Sequence, residues 1–327
     1  MTGEDKWVRH LRGTYFMEKS SKIIKSIGAV RSIPGLISNR FSARAEKSIC
    51  VVFSGAACSG DTDILRGISI IMTPRGYEIK VFRTGNNQSK EANVLRTAIF
   101  RKYEGIIIEP SRSEALCKHM ELYRKLDRLG IPYIFIRSTY PQTNEKPKLK
   151  INDSRGSYLL TRHLIATGHA NIVGLFKADD AGGYERHSGY VEAFREAGLS
   201  YHPEWEIWFH SEDRFKKPVL VLDQLLAKHK EINGILCYSD ITARVIIKFL
   251  EQKGYRVPDD IAVTGYGNTK LSEKGEVGLT TAEQPNVRLG SDAAEFLISE
   301  FGGAGEMEEG YEKILDPYIV IRRSSIQ

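Results

Sequence analysis

No apolar run in the chain approaches the roughly 20 residues that a membrane-spanning helix needs. The opening residues, MTGEDKW, are acidic and polar and lack the basic-then-apolar pattern of a secretion signal. No membrane partner is therefore expected, and the expected location is the cytoplasm. Cysteine is scarce. Cys50, Cys58, Cys117 and Cys237 form no C-x-x-C pair and have no histidine at zinc spacing, which argues against a structural metal and for reduced, buried thiols.

The motifs of nucleotide and hydrolytic chemistry are also missing. No G-x-G-x-x-G follows the first apolar segment, and there is no G-x-x-x-x-G-K-[ST], no G-x-S-x-G and no H-E-x-x-H. No cofactor, no metal and no enzymatic activity are expected. Short-period repeats and low-complexity runs are absent as well.

Excess charge is missing from most of the chain. Residues 1–49 hold ten Lys or Arg against four Asp or Glu, which accounts for the whole net charge of +6; residues 50–327 hold 37 of each sign. A basic segment on a balanced body suits a polyanion partner, because clustered cations release counterions from phosphates; the alternative is a solvated tail. Within it, Trp7 to Met17 (WVRHLRGTYFM) reads as a basic β-hairpin turning at Gly13, and 18–48 reads as a Ser, Lys and Arg-rich linker.

What is present from residue 48 onward is alternation. Short Ile- and Val-rich runs at 49–54, 78–83, 105–109, 133–137, 172–176, 206–209, 234–238 and 261–266 read as buried strands. Helical candidates separate them near 61–74, 90–102, 113–129, 156–167, 183–197, 216–228 and 242–254, and a last one lies near 287–301. Such alternation predicts an α/β protein with two doubly wound parallel-sheet lobes and helices on both faces of each sheet. The Pro- and Lys-bearing stretch YPQTNEKPKLK at 140–150 reads as a crossing between the lobes. Ligands of open α/β sheets bind at the strand C-termini, so the cleft between the lobes is the expected site.

The strand ends carry Glu109, Arg137, Lys177, Asp179, Asp180, Ser239 and Asp240. Carboxylates and cations around one cleft suit a polyhydroxyl ligand, whose hydroxyls donate to the former and accept from the latter. Each charge can equally cap a helix or join a surface ion pair. Asp240 and Asp153 stand at helix starts and read first as structural caps. His163 and His169 are six apart, share no helical face and read as packing or turn residues; Trp205, Trp208 and Phe209 read as buried strand, with one ring available as a sugar platform.

Residues 151–198, 234–267 and 279–297 resemble the effector domain of LacI/GalR-type bacterial regulators. In order they hold a G-H turn, the R-x-x-G-Y helix from Arg186, the D-x-x-A helix from Asp240, G-x-x-V-P-x-D from Gly254, and L-T-T from Leu279. The resemblance extends over about 48–323 and is nearest to the arabinose-responsive repressors, which join this domain to a GntR-type winged helix. RHLRGTY at 9–15 is similar to the wing of that domain, so the resemblance assigns operator contacts to Arg9, Arg12, Gly13 and Thr14. It implies a sugar-responsive repressor and a homodimer, with domains at 1–17 (wing), 18–48 (linker) and 49–323 (effector domain).

The effector domain is expected to divide into one lobe of 49–145 and 285–306 and another of 146–284 and 307–323. The resemblance implies effector contacts from Glu109, Arg137, Lys177, Asp180, Arg186, Ser239 and Gly267. If Arg186 only anchors ligand, its removal should cost binding and leave the ligand-free melting temperature alone. Several positions depart from the pattern: Ser239 replaces Asn, Gly267 replaces Asp, Arg137 replaces a small polar residue, Gly55 stands near where arabinose-type proteins have an aromatic, and Arg12 replaces the first, more variable glycine of the wing. The effector class thus spans arabinose, a related pentose, and an acidic or phosphorylated sugar. Operator binding is expected only with a complete winged helix, since the recognition helix within the roughly 60 residues before the wing enters the major groove. The runner-up reading is a sugar-binding component of an uptake system, which shares the two-lobe fold but requires export.

Overall fold

The computed structural model describes residues 47–55, 59–302 and 310–326. The proposed wing, nearly all of the linker, the residues Arg9, Arg12, Gly13 and Thr14, and Cys58 lie outside them.

Two six-stranded sheets form the body. The first is built from β1 (Ser48–Phe53), β2 (Glu78–Arg83), β3 (Gly105–Ile108), β4 (Tyr133–Arg137), β5 (Lys148–Ile151) and β11 (Glu312–Leu315), in the order β11-β5-β4-β3-β1-β2. The second is built from β6 (Ile172–Lys177), β7 (Glu206–Phe209), β8 (Gly234–Cys237), β9 (Ala262–Tyr266), β10 (Thr280–Glu283) and β12 (Tyr318–Val320), in the order β12-β10-β9-β8-β6-β7. Every pairing is parallel except β12 on β10. The helices are α1 (Ser59–Met72), α2 (Gln88–Arg101), α3 (Met120–Leu129), α4 (Asp153–Ala166), α5 (Ala181–Ala197), α6 (Lys217–Lys228), α7 (Asp240–Gln252) and α8 (Asn286–Glu300).

The apolar runs follow from burial on both faces of each sheet. In β1, Ile49, Val51 and Phe53 pack under α1 and α8, whereas Cys50 and Val52 face α2 and α3. Val173, Leu175, Ile235 and Val263 pack likewise against α6 and α7, and Ile172, Leu236 and Ala262 against α4 and α5. Glycine lets α1 and α8 touch backbone to backbone: a Cβ on Gly67 would lie 2.0 Å from the Val287 carbonyl oxygen, and one on Gly290 would lie 2.1 Å from that of Ile64. Cys50, Cys117 and Cys237 are buried and free, and burial pushes the Cys50 thiol up to about 12.

All eight expected strands are present, and four more appear. Two of these move the lobe boundaries. Residues 148–150, expected inside the first crossing, pair with β4 as part of β5, so the chain crosses at Asn152. Residues 312–315 pair with β5, which puts the third crossing at 316–317, where 306 was expected. The remaining crossing passes through 284–285, between β10 and α8. Lys148 is the reason the strand was hidden. It is buried, and its ammonium is held by the Asn144 carbonyl and by Glu312 at 3.3 Å, so a cation sits where an apolar residue marks other strands. The helix expected over 113–129 is shorter and begins at Met120, because 110–119 turns through Arg112 at φ +51°.

Among the described residues no helix is long and apolar enough to cross a membrane. Among them, too, no group of three or more His, Cys, Asp or Glu is placed to hold a metal ion.

Candidate ligand-binding cleft

The C-terminal ends of the two sheets face each other. Asn86, just past β2, donates to Asp179 past β6 and to Ser211 past β7. The three crossings lie at the β5/β11 and β10/β12 edges, so the cleft is hinged on one side and closed by these bonds on the other.

The wall from the first sheet is an ion-pair network. Arg137 ends β4 in the left-handed region at φ +66°. Its Nη1 donates to Glu109 Oε1 at 3.1 Å and Asp61 Oδ1 at 3.2 Å, and its Nη2 to Asn286 Oδ1 at 3.3 Å. Arg83, at the end of β2, donates to Asp61 Oδ2 at 2.7 Å and lies over the Phe53 ring. Glu109 also accepts the Ser54 N–H at 3.2 Å. Burial raises the Glu109 pKa; Arg137 opposes that shift, and Asp61 and, across the cleft, Asp180 add to it.

The opposite wall centres on Asp180, the N-cap of α5. Its Oδ1 accepts the Gly182 N–H at 2.9 Å, its Oδ2 accepts the Tyr238 hydroxyl, and Lys177 Nζ stands 3.5 Å away. Burial works against the ionised form, but Lys177, Tyr238, Arg186 and the Gly182 N–H together hold Asp180 below the usual carboxylate range. Arg186 lies between two tyrosine rings, 4.4 Å from the Tyr238 centroid and 3.8 Å from that of Tyr266. It donates to Asp153 Oδ1 through Nε at 3.2 Å, and to the Tyr238 carbonyl through Nη1 at 2.6 Å.

Glu109, Arg137, Lys177, Asp180 and Arg186 therefore meet in one cleft. Ser239 and Gly267 stand at strand ends beside it but supply backbone structure. The Ser239 hydroxyl caps α7 by accepting the Thr242 N–H at 3.3 Å. Gly267 adopts φ +114° and donates its N–H to the Ala282 carbonyl at 2.7 Å. The expectation for Asp240 shifts in kind. It is no cap; its oxygens accept the Thr269 N–H and the Thr281 hydroxyl, both at 2.6 Å, and bind the loop after β9 to β10. Asp153 likewise leaves its helix cap to Asn152 and pairs with Arg186.

His163 bonds Ser325 at 2.7 Å, and His169 bonds Thr167 at 3.1 Å beside a cavity of about 390 Å³ lined also by Asn233 and Asp259. Trp205 and Phe209 are buried, and Trp208 is half-buried against Phe176 and His187. Sequence reasoning did not single out Asp61, Asn286, Tyr238 and Tyr266. For the two tyrosines the available signal was a polar aromatic as the last apolar residue of a strand run.

Comparison with known proteins agrees with this architecture. Residues 161–325 match the periplasmic binding protein-like domain family. The arabinose metabolism transcriptional repressor of Halalkalibacterium halodurans is 34% identical over 268 residues, 81% of this chain and 71% of that protein. The arabinose metabolism transcriptional repressor of Geobacillus stearothermophilus is 32% identical over 80% of this chain and 72% of its own length. A transcriptional regulator CelR-cellobiose complex superposes with a TM-score of 0.73 at 22% identity, over 97% of this chain and 94% of that one.

Proposed function

The chain belongs to the periplasmic binding protein-like family, and from that premise we propose that it is a sugar-responsive transcriptional repressor, cytoplasmic and dimeric, and not an enzyme. Its main support is the pairing of acid and base on both cleft walls, Glu109 with Arg137 and Asp180 with Lys177. Such pairs present acceptors and donors side by side, which matches the alternating demands of sugar hydroxyls. The relatives named as arabinose metabolism repressors supply the second support.

Each cation of the cleft is committed to a carboxylate: Arg83 and Arg137 to Asp61, Lys177 to Asp180, Arg186 to Asp153. That favours arabinose or a related neutral pentose over an acidic or phosphorylated sugar. Effector binding fixes the lobes around the ligand and changes the spacing of DNA-binding heads in a dimer, with Arg9, Arg12, Gly13 and Thr14 as operator contacts. The coupling available is the effector's differential affinity for two states, about 1 to 3 kcal/mol. Calorimetry with pentoses, hexoses and sugar phosphates tests the reading. A neutral pentose should bind best, and binding by none of the panel would overturn the effector role.

A further inference from the structure

The bonds that close the cleft are made by groups other than the proposed effector contacts, and Asp179, which receives one of them, stands 3.8 Å from the Lys177 ammonium. Asn86 occupies the left-handed region at φ +57°, which asparagine tolerates better than most residues. From there its amide nitrogen reaches Asp179 Oδ2 at 3.2 Å and Ser211 Oγ at 3.4 Å, while its amide oxygen accepts the Arg112 N–H at 2.7 Å within its own lobe. Asp179 is buried, and the same oxygen accepts the Ser211 N–H at 3.1 Å, so the target of Asn86 is itself held in place.

Ser113 makes the second link. Its side chain, buried in the loop after β3, accepts the Ala181 N–H at 3.2 Å. Ala181 is the first residue of α5, and the first four N–H groups of a helix have no partner inside it. Asp180 satisfies the next N–H, that of Gly182. The helix that carries Arg186, with Asp180 as its cap, is therefore capped partly from the opposite lobe, and only while the cleft is closed. An exposed pair, Arg112 with Glu212 at 3.0 Å, adds to the same seam.

The placement of Asn86 gives its bonds leverage. Asn86 and Ser211 follow β2 and β7, the outermost strands on the side away from all three crossings. We propose that Asn86 and Ser113 form a latch that sets the balance between open and closed cleft, and so act as positioning residues for effector affinity without touching the effector. A ligand that binds only the closed form has its apparent Kd divided by the closed fraction, so a weaker latch weakens binding from a distance.

The affinity part of this rests on the sugar-responsive reading; the closure part does not. Asn86→Gly keeps the left-handed backbone and removes the amide, and Ser113→Ala removes the trans cap. Small-angle scattering of the effector-free full chain should show a larger radius of gyration for each variant. Calorimetry with the pentose that the wild type binds should show about a tenfold rise in Kd. Unchanged scattering overturns the latch, including where affinity falls, since Asn86 would then be an effector contact. If the wild type binds no sugar, the sugar-responsive reading fails and scattering alone still decides the latch. Should either variant fold poorly, Ser211→Ala removes one acceptor of Asn86, and its scattering must shift the same way for the latch to stand.

Discussion

Nε and Nη2 of Arg186 converge on a single oxygen of Asp153, Oδ1, at 3.2 and 3.1 Å. Both residues are buried, and Asp153 beside it keeps the guanidinium charged despite the cost of burial. Arg186→Ala leaves an uncompensated carboxylate and a gap between Tyr238 and Tyr266, and should cost about 3 kcal/mol or more of stability. Thermal unfolding without ligand should show the drop, contrary to the expectation for a residue that only anchors ligand. The pair Arg186→Met with Asp153→Asn should recover most of the loss, and additive losses would exclude the proposed coupling.

Ser239 and Asp240 are adjacent but support different structures. Ser239→Ala removes one cap bond from α7 and should cost about 1 kcal/mol. Asp240→Ala leaves the Thr269 N–H and the fully buried Thr281 hydroxyl without their acceptor, and should cost about 3 kcal/mol. Urea midpoints of the two variants should therefore differ clearly, with Asp240→Ala the less stable.

Gly267 stands where an aspartate would add a carboxylate to the cleft. Its φ of +114° lies beyond the left-handed region that asparagine or aspartate tolerates, so any side chain there strains the backbone whatever space surrounds it. Gly267→Asp should lose about 1 to 3 kcal/mol and gain no affinity for a neutral pentose. Gly267→Ala carries the same strain without the charge. Equal denaturation midpoints for the two variants would assign the loss to backbone strain; a tighter pentose complex for the aspartate variant alone would assign a missing contact.

The fold was legible wherever a strand is apolar on both faces, as in VVF at 51–53 or GIII at 105–108, because burial there leaves no polar position to interrupt the run. It was illegible in β5 and β11, where Lys148 and Lys150 meet Glu312 and the edge of the sheet is held by charge. At the site, the rule that ligands meet strand C-termini located Glu109, Arg137, Lys177 and Asp180. It could not locate their partners. Arg137 bonds Asp61 and Asn286 from positions far along the chain, and Arg186 bonds the carbonyl of Tyr238, pairings fixed by how distant elements dock and by no local period. The positive φ at Gly267 is equally absent from any residue pattern.

Glu185, next to Arg186 on α5, carries a pH dependence of definite sign. Burial, aided by Asp153 and Asp180 and opposed by Lys150 and Arg186, pushes it up to about 7 from 4.5. A carboxyl raised in the folded state binds its proton more tightly there than when unfolded. Its stabilising contribution is complete below about pH 4.5 and is lost as pH rises through about 7, an effect of about 2 kcal/mol across that window for a half-buried group. Urea titrations from about pH 5 to about pH 8 should show this decline superposed on the other groups. Glu185→Gln cannot ionise, so it should flatten the slope and unfold at higher urea than the wild type at the alkaline end. Parallel slopes for the two proteins would place the ionisation of Glu185 outside this window.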